Sequence, residues 1–206
     1  MVSIWPTPSV IQKDSIIVCP GEAINPGVFT SDPAGSSFTW TNDNVNIGLN
    51  ASGNDNIDSY NASNITADSI IANISVIGEL STCPSPAMQF TIVIKPKPVI
   101  SPITPDVTVC PEEMVVVQAF SAIPSGSVFT WTNSNTANGL GDSGNGNIVS
   151  YDAPDNTTGV YKDGNVSVTA NLNGCVSNTD VFRIRIKPTP GTSAISGQFN
   201  VCASDS

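Results

Sequence analysis

Histidine is absent from the 206 residues, and basic residues are scarce, with 7 Lys and Arg against 17 Asp and Glu for a net charge of −10. Without histidine there is no ordinary Ser-His-Asp or Cys-His pair to activate a nucleophile. The longest basic cluster is Arg183-Ile184-Arg185-Ile186-Lys187, too little positive surface to track phosphates, so nucleic-acid binding is disfavoured. Long apolar runs are missing too. None approaches the roughly 20 residues that a membrane-crossing helix needs, and Met1-Val2-Ser3-Ile4-Trp5-Pro6 has neither the basic start nor the apolar core of a signal peptide. A signal for export is therefore expected outside this sequence. Charged residues make up only 12%, and no long helical period is present, whereas 21 Asn, 16 Gly and 16 Pro give a turn-rich, β-type composition.

What is present is a repeat. Phe38-Thr39-Trp40-Thr41-Asn42 returns letter for letter as Phe129-Thr130-Trp131-Thr132-Asn133, 91 residues later. Aromatics alternating with threonines have the period of two that sets Phe and Trp on one face of a strand. Phe38, Trp40, Phe129 and Trp131 are thus expected in the cores of two sandwiches. Gly48-Leu49 matches Gly139-Leu140, Ser52-Gly53-Asn54 matches Ser143-Gly144-Asn145, and Asn56-Ile57 matches Asn147-Ile148. Beyond Tyr151 the offset becomes 92, which implies one inserted residue between Tyr151 and Asn165, in a loop.

The repeat divides the chain into residues 1–8 (the end of a preceding copy), 9–98, 99–190 and 191–206 (the start of a further copy). Closing Ile-Lys-Pro-x-Pro segments at Ile94–Pro98 and Ile186–Pro190 remove backbone donors and stiffen the links between copies. In the first copy the expected strands are 15–19, 23–30, 36–42, 56–61, 69–78 and 88–95. In the second they are 107–110, 115–121, 127–133, 147–151, 164–171 and 181–187. Short strands between turn signals make this an all-β, immunoglobulin-like sandwich pair. Arg183, Arg185 and Lys187 are read as charges that protect an edge strand from pairing with other chains.

The five cysteines follow the same period: Cys19 and Cys110 are 91 apart, Cys83 and Cys175 are 92 apart, and Cys202 lies 92 beyond Cys110. With two per copy, the expected disulfides are Cys19 with Cys83 and Cys110 with Cys175, each closing a loop of about 65 residues, with about 4 kcal/mol of chain-entropy stabilisation. The partner of Cys202 is left open. With no CxxC spacing and no histidine, metal binding through these cysteines is disfavoured, and disulfides point to an extracytoplasmic compartment. Glu22 and Glu113 are the acids that recur at matched positions beside the first cysteine, which suggests a local structural role rather than catalysis.

Together, Val-Cys-Pro-(Gly/Glu)-Glu, Phe-Thr-Trp-Thr-Asn, Gly-Leu, Ser-Gly-Asn, Asn-Ile, the second cysteine and Ile-Lys-Pro-x-Pro resemble the PKD-like repeats of giant Bacteroidota cell-surface adhesins, the SprB-type gliding adhesins among them. The Gly-Asp-Gly turn of better-known PKD domains is replaced by Asn42-Asp43-Asn44 and Asn133-Ser134-Asn135, so the PKD-like variant is the one that fits. The resemblance implies an immunoglobulin-like sandwich, export through the outer membrane to the cell surface, and service as a spacer in a long filament used in attachment or gliding, with neighbouring repeats as partners. It brings no ligand site and no cofactor.

Three other chemistries have residues behind them. Calcium is an alternative ligand for the loop oxygens of Asp43, Asn44, Asp55 and Asp58, or of Asp142, Asp152 and Asp155, although these positions do not repeat. The Asn-rich loops 42–56 and 133–147 offer a surface for a polysaccharide or another cell-surface protein. Asp14-Ser15-Ile16 and Asp68-Ser69-Ile70 resemble the O-glycosylation sites of Bacteroidota secreted proteins, at Ser15 and Ser69. Six Asn-x-Ser/Thr triplets, Asn61, Asn64, Asn73 and Asn165 among them, are expected by chance in so Asn-rich a chain.

Overall fold

A computed structural model describes residues 5–103 and 105–191. Cys202 and the rest of the expected further copy lie outside the described residues, as do positions 1–4. The first copy contains β1 (Ser9–Val10), β2 (Ile16–Val18), β3 (Ala23–Ile24), β4 (Ser31–Asp32), β5 (Ser37–Asn42), β6 (Ser52–Asn54), β7 (Tyr60–Asn61), β8 (Ile70–Leu80), β9 (Cys83–Pro84) and β10 (Met88–Ile94). The second contains β11 (Val99–Ile100), β12 (Val107–Val109), β13 (Met114–Val115), β14 (Ala122–Ile123), β15 (Val128–Asn133), β16 (Ser143–Asn145), β17 (Tyr151–Asp152), β18 (Lys162–Leu172), β19 (Cys175–Val176) and β20 (Asp180–Ile186). The fold is all-β and immunoglobulin-like. Among the described residues its helical segments are the single 3-10 turns Val45–Ile47 and Thr136–Asn138, and none is long and apolar enough to cross a membrane.

The same topology is drawn twice. One sheet runs β2-β10-β8-β5-β6 with β9 folded back on β8, and its counterpart runs β12-β20-β18-β15-β16 with β19 on β18. β2 lies parallel to β10, with Val18 opposite Ile94, and β10 is antiparallel to β8, with Ile94 opposite Ile70 and Met88 opposite Val76. Inward residues of β8 and β10, among them Ile74, Val76, Ile92 and Ile94, are fully buried. They form one cluster with Val10, Ile24, Phe29, Ile57 and Ala62, from segments outside that sheet. By contacts the chain divides into two compact units, one of residues up to Pro102 with Phe120–Thr130 and Val168–Asp180, the other of the remainder.

The aromatic strand alternates as its sequence implies, with Ser37, Thr39 and Thr41 outward and Trp40 7% exposed. Phe38 is half-buried and packs on the core. Phe129 and Trp131 are also half-buried, Phe129 with its ring 5.7 Å from that of Phe120. The recurring Ser-Gly-Asn is explained by register. Gly53 sits opposite Trp40 on the adjacent strand, and a Cβ there would lie 2.3 Å from the indole, as it would at Gly144 against Trp131. The recurring Gly-Leu has a different cause, since Gly48 and Gly139 close the 3-10 turns with φ of 88° and 91°, a region open to glycine.

Several expectations are corrected. The expected strand 23–30 shortens to β3, with β4 beginning only at Ser31, because Pro26 lacks an N–H and Gly27 turns to φ 72°, its N–H bonded to the Asn25 side chain. The expected strand 56–61 shortens to β7, as the Asn56 side chain rather than its backbone accepts the Phe29 N–H at 2.7 Å. The strand bearing Arg183 and Arg185 is no edge, because β20 lies between β12 and β18. Its two arginines pair with carboxylates on neighbouring segments, Arg183 with Asp106 and Arg185 with Asp163. The ends of the two longer strand orders are the three-residue strands β2, β6, β12 and β16, and such shortness is itself a guard.

The disulfides are also corrected. Cys19 is bonded to Cys175, with Cα atoms 5.5 Å apart and a sequence separation of 156, while Cys83 and Cys110 are free thiols. Pairing within a copy is prevented by the length of the longest strand. Cys19 follows Val18, at the Ile70 end of β8, and Cys83 faces Leu80 at the other end. The 11 residues of β8 span about 35 Å at ~3.3 Å per residue, and a disulfide needs Cα atoms within about 7 Å. Cys110 and Cys175 are kept apart in the same way by the 11-residue β18.

Replacing Gly53 by Ala is expected to cost about 1–3 kcal/mol through collision with the Trp40 ring. Gly141→Ala, where a Cβ meets nothing within 4 Å, is the near-neutral control. Urea unfolding midpoints of the two variants provide the comparison.

Candidate functional site

Side-chain amides at the loop ends of each copy turn inward and bind backbone. Asn42 is buried and its Nδ2 donates to the carbonyls of Leu49 and Asn50, while its Oδ1 accepts from Asn44 N–H. Asn133 repeats this with Leu140, Gly141 and Asn135, and adds contacts to Asn138, which is fully buried. Asn44 and Asn135 cap the 3-10 turns, accepting from Asn46 and Ala137 N–H, and donate to Ile71 and Asp163 carbonyls. In both copies, then, the Asn-rich loops, the alternative surface for a ligand, are braced from within by Asn42 and Asn44 or by Asn133 and Asn135.

A second set of asparagines does the same at the far side of the loop before β8. Asn64 Nδ2 donates to the carbonyls of Asp68, Ile94 and Lys95, and its Oδ1 accepts from Thr66 N–H and Oγ1. Asn156 repeats the pattern with Val160, Ile186 and Thr158. These Asn-x-Thr triplets are locks between a loop and the end of the last strand, β10 or β20. The matched spacing of 92 was the signal for them, and their resemblance to glycosylation triplets hid it. The paired bonds Ala62 N–H to Glu22 O and Ala153 N–H to Glu113 O keep the offset at 91 as far as Ala153, so the inserted residue lies between Ala153 and Asn156.

The recurring glutamates have the expected local role. Glu22 Oε2 accepts Cys19 N–H at 2.8 Å and Glu113 Oε2 accepts Cys110 N–H at 2.7 Å. Of the candidate calcium ligands, Asp43 is taken by Asn73, accepting from its N–H and its Nδ2, both at 2.7 Å. The Asn73 amide and backbone hold the Asp43 carboxyl below its ordinary pKa. In the second copy the hydroxyl of Ser134 accepts from Asn165 N–H instead, so the position needs an acceptor, not a charge. Among the described residues no three of His, Cys, Asp and Glu gather into a group able to hold a metal ion. Burial pushes the phenols of Tyr60 and Tyr151 up to about 12, which keeps both neutral.

Ser15 and Ser69 are both exposed. Ser15 Oγ accepts from Thr91 Oγ1 at 2.7 Å, and Ser69 lies on the rim of a small hollow with Asn44, Asn46 and Ile71. Within the larger compact unit there is a hollow of about 780 Å³, lined by residues including Pro20, Ile65, Val99, Ile123 and Asn178. Its wall is mainly apolar, with Ile65 98% exposed. Thr66, Lys97 and Asp180 supply polar groups on its rim.

No protein-family model matches this sequence, and no curated protein is similar to it. Among solved structures, the fibronectin(III)-like modules of Clostridium thermocellum CbhA align with 14% identity over 88% of this chain and 95% of that one, at a TM-score of 0.35. The N-terminal Ig1-2 module of the Drosophila receptor protein tyrosine phosphatase DLAR aligns with 13% identity over 88% of this chain and 100% of its own, at 0.31. The N-terminal four Ig domains of Dscam1 isoform 6.9 align with 12% identity over 89% of this chain and 46% of that one, at 0.35.

Asn64→Ala and Asn156→Ala are each expected to destabilise by about 2–3 kcal/mol, since each leaves buried carbonyls without donors. Asn50→Ala, at an exposed side chain, is expected to stay within about 0.5 kcal/mol of the parent. Chemical denaturation of the three variants measures the difference.

Proposed function

We propose that the chain is a pair of spacer modules from a long extracellular surface adhesin or filament, serving cell attachment or gliding motility. The observation that carries this reading is that polar side chains shared by the two copies, Asn42 and Asn133, Asn44 and Asn135, Asn64 and Asn156, Glu22 and Glu113, bind their own backbone. A module whose repeated features all hold it together is built for persistence and length. The Cys19–Cys175 bond agrees with an oxidising, extracytoplasmic setting, and the sequence resemblance supplies the surface-filament context, with export across an outer membrane. Neighbouring repeats are its partners, and Ser15 and Ser69 are its accessible O-glycosylation positions. No catalytic role, metal or cofactor is part of this reading. Recognition of a polysaccharide or a second surface protein through the Asn-rich loops is the rival, and the inward use of those amides counts against it.

The test is a glycan array and a surface-protein panel probed with the purified 206-residue chain. Background signal throughout is the expected result. Saturable binding to one glycan or protein, weakened by substitutions at exposed positions in loops 42–56 or 133–147, overturns the spacer assignment.

A further inference from the structure

The cysteines of the two copies occupy two equivalent places. Cys19 and Cys110 each directly follow a strand parallel to the last strand of the sheet, with the backbone N–H on a glutamate three residues on. Cys83 and Cys175 each open a two-residue strand that folds back on the longest strand, opposite Leu80 and Leu172. The bond found in the structure joins the first place of one copy, Cys19, to the second place of the next, Cys175. The two thiols left over are one of each kind: Cys83, a second-place cysteine, and Cys110, a first-place cysteine. The exposure of Cys83 agrees with an unmet bond, since its equivalent Cys175 is fully buried when bonded while Cys83 is only half-buried.

We propose that Cys83 and Cys110 are cross-linking positions for further copies of this same repeat: Cys110 takes the second-place cysteine of a following copy, and Cys83 takes the first-place cysteine of a preceding one. Cys19–Cys175 is then one rung of a staggered series in which each copy is tied covalently to its neighbour. Bonding within a copy cannot substitute, because the 11-residue β8 and β18 hold the two places about 35 Å apart at ~3.3 Å per residue. Each rung forms from two thiols by exchange with a disulfide oxidant, a small-molecule or protein disulfide. One cysteine thiolate attacks the oxidant and expels its first thiol. The thiolate of the other copy then attacks the mixed disulfide and expels the second. Two cysteines are oxidised and one oxidant disulfide is reduced, with two protons ending on the released thiols. The inference rests on the bond and the repeat and does not depend on what the array is for.

The chain itself provides the test, in a Cys202→Ser background, with two separate chains standing in for successive copies. Concentrated protein is incubated in glutathione disulfide and mapped by non-reducing peptide mass spectrometry. The expected result is a ladder of multimers on a non-reducing gel, joined by interchain Cys83–Cys110 peptides, with Cys19–Cys175 intact in every chain. Isotope-labelled Cys83→Ser protein mixed with unlabelled Cys110→Ser protein is expected to give the labelled–unlabelled dimer at least tenfold above either homodimer. Homodimers through Cys83–Cys83 or Cys110–Cys110 at comparable yield overturn the pairing rule. Native protein carrying Cys19–Cys83 or Cys110–Cys175 overturns it as well, and so do thiols that stay reduced where Cys19–Cys175 forms.

Discussion

The length of one strand controls much of this molecule. β8 and its counterpart β18 each run for 11 residues through the middle of a sheet, and β10 and β20 lie against them on one side, with β5 and β15 on the other. Their inward residues, Ala72, Ile74 and Val76 in one copy and Val166, Val168 and Ala170 in the other, are fully buried. A ladder this long fixes two ends of the module. At one end the Asn64 or Asn156 amide locks the entering loop to the last strand. At the other the chain folds back on itself, held by Ser85 or Ser177, whose hydroxyls accept Gly78 and Ala170 N–H. Because the cysteines sit beyond these two ends, one at each, the same ladder dictates which sulfurs can meet.

Asparagine is abundant here for a physical reason. A sandwich this small has many loops for its core, and each loop leaves backbone carbonyls and N–H groups without ladder partners. A side-chain amide both donates and accepts, so a single buried Asn can satisfy three or four of them, as Asn64 and Asn133 do. Asp43 and Ser134 show the minimum a position of this kind requires: one is a carboxylate and the other a hydroxyl, yet each accepts an N–H from an asparagine on the long strand, 30 and 31 residues further on.

The repeat, the all-β class, the alternation of Phe38 and Trp40 with threonines, and the local role of Glu22 and Glu113 were legible in the residues, because each rests on periods of two or on matched positions a few residues apart. The disulfide partners were not. Counting two cysteines per copy suggests one bond within each, whereas Cys19 joins Cys175 and Cys83 and Cys110 stay free, because Cys19 and Cys83 stand at opposite ends of β8, and that depends on strand register. The reading of Arg183 and Arg185 as edge guards failed similarly, since alternating charge marks a solvent-facing row on an interior strand as well as on an edge. Nor could Asn64 and Asn156 be told from incidental sequons until their amides were placed against the Ile94 and Ile186 carbonyls.

The two copies also differ in an orderly way on the outer face of the sheet. Ile71 stands opposite Val93 in the first copy; at the equivalent places, 92 residues on, Asp163 and Arg185 form an ion pair at 2.7 Å. Ser15 and Thr91 share a hydroxyl–hydroxyl bond at 2.7 Å, and their equivalents Asp106 and Arg183 form an ion pair at 3.0 Å. Each contact keeps its geometry while its chemistry changes from apolar or neutral to charged, and cross-strand pairs on an exposed face tolerate that exchange at a cost or gain below about 1 kcal/mol. The inner face and the loop amides show no such freedom: Ile74, Val76 and Ile92 answer to Val166, Val168 and Ile184, all fully buried. A repeat organised in this way separates what must be kept, the ladder, the loop locks and the two sulfur positions, from an outer face that can drift in charge from copy to copy without touching the fold.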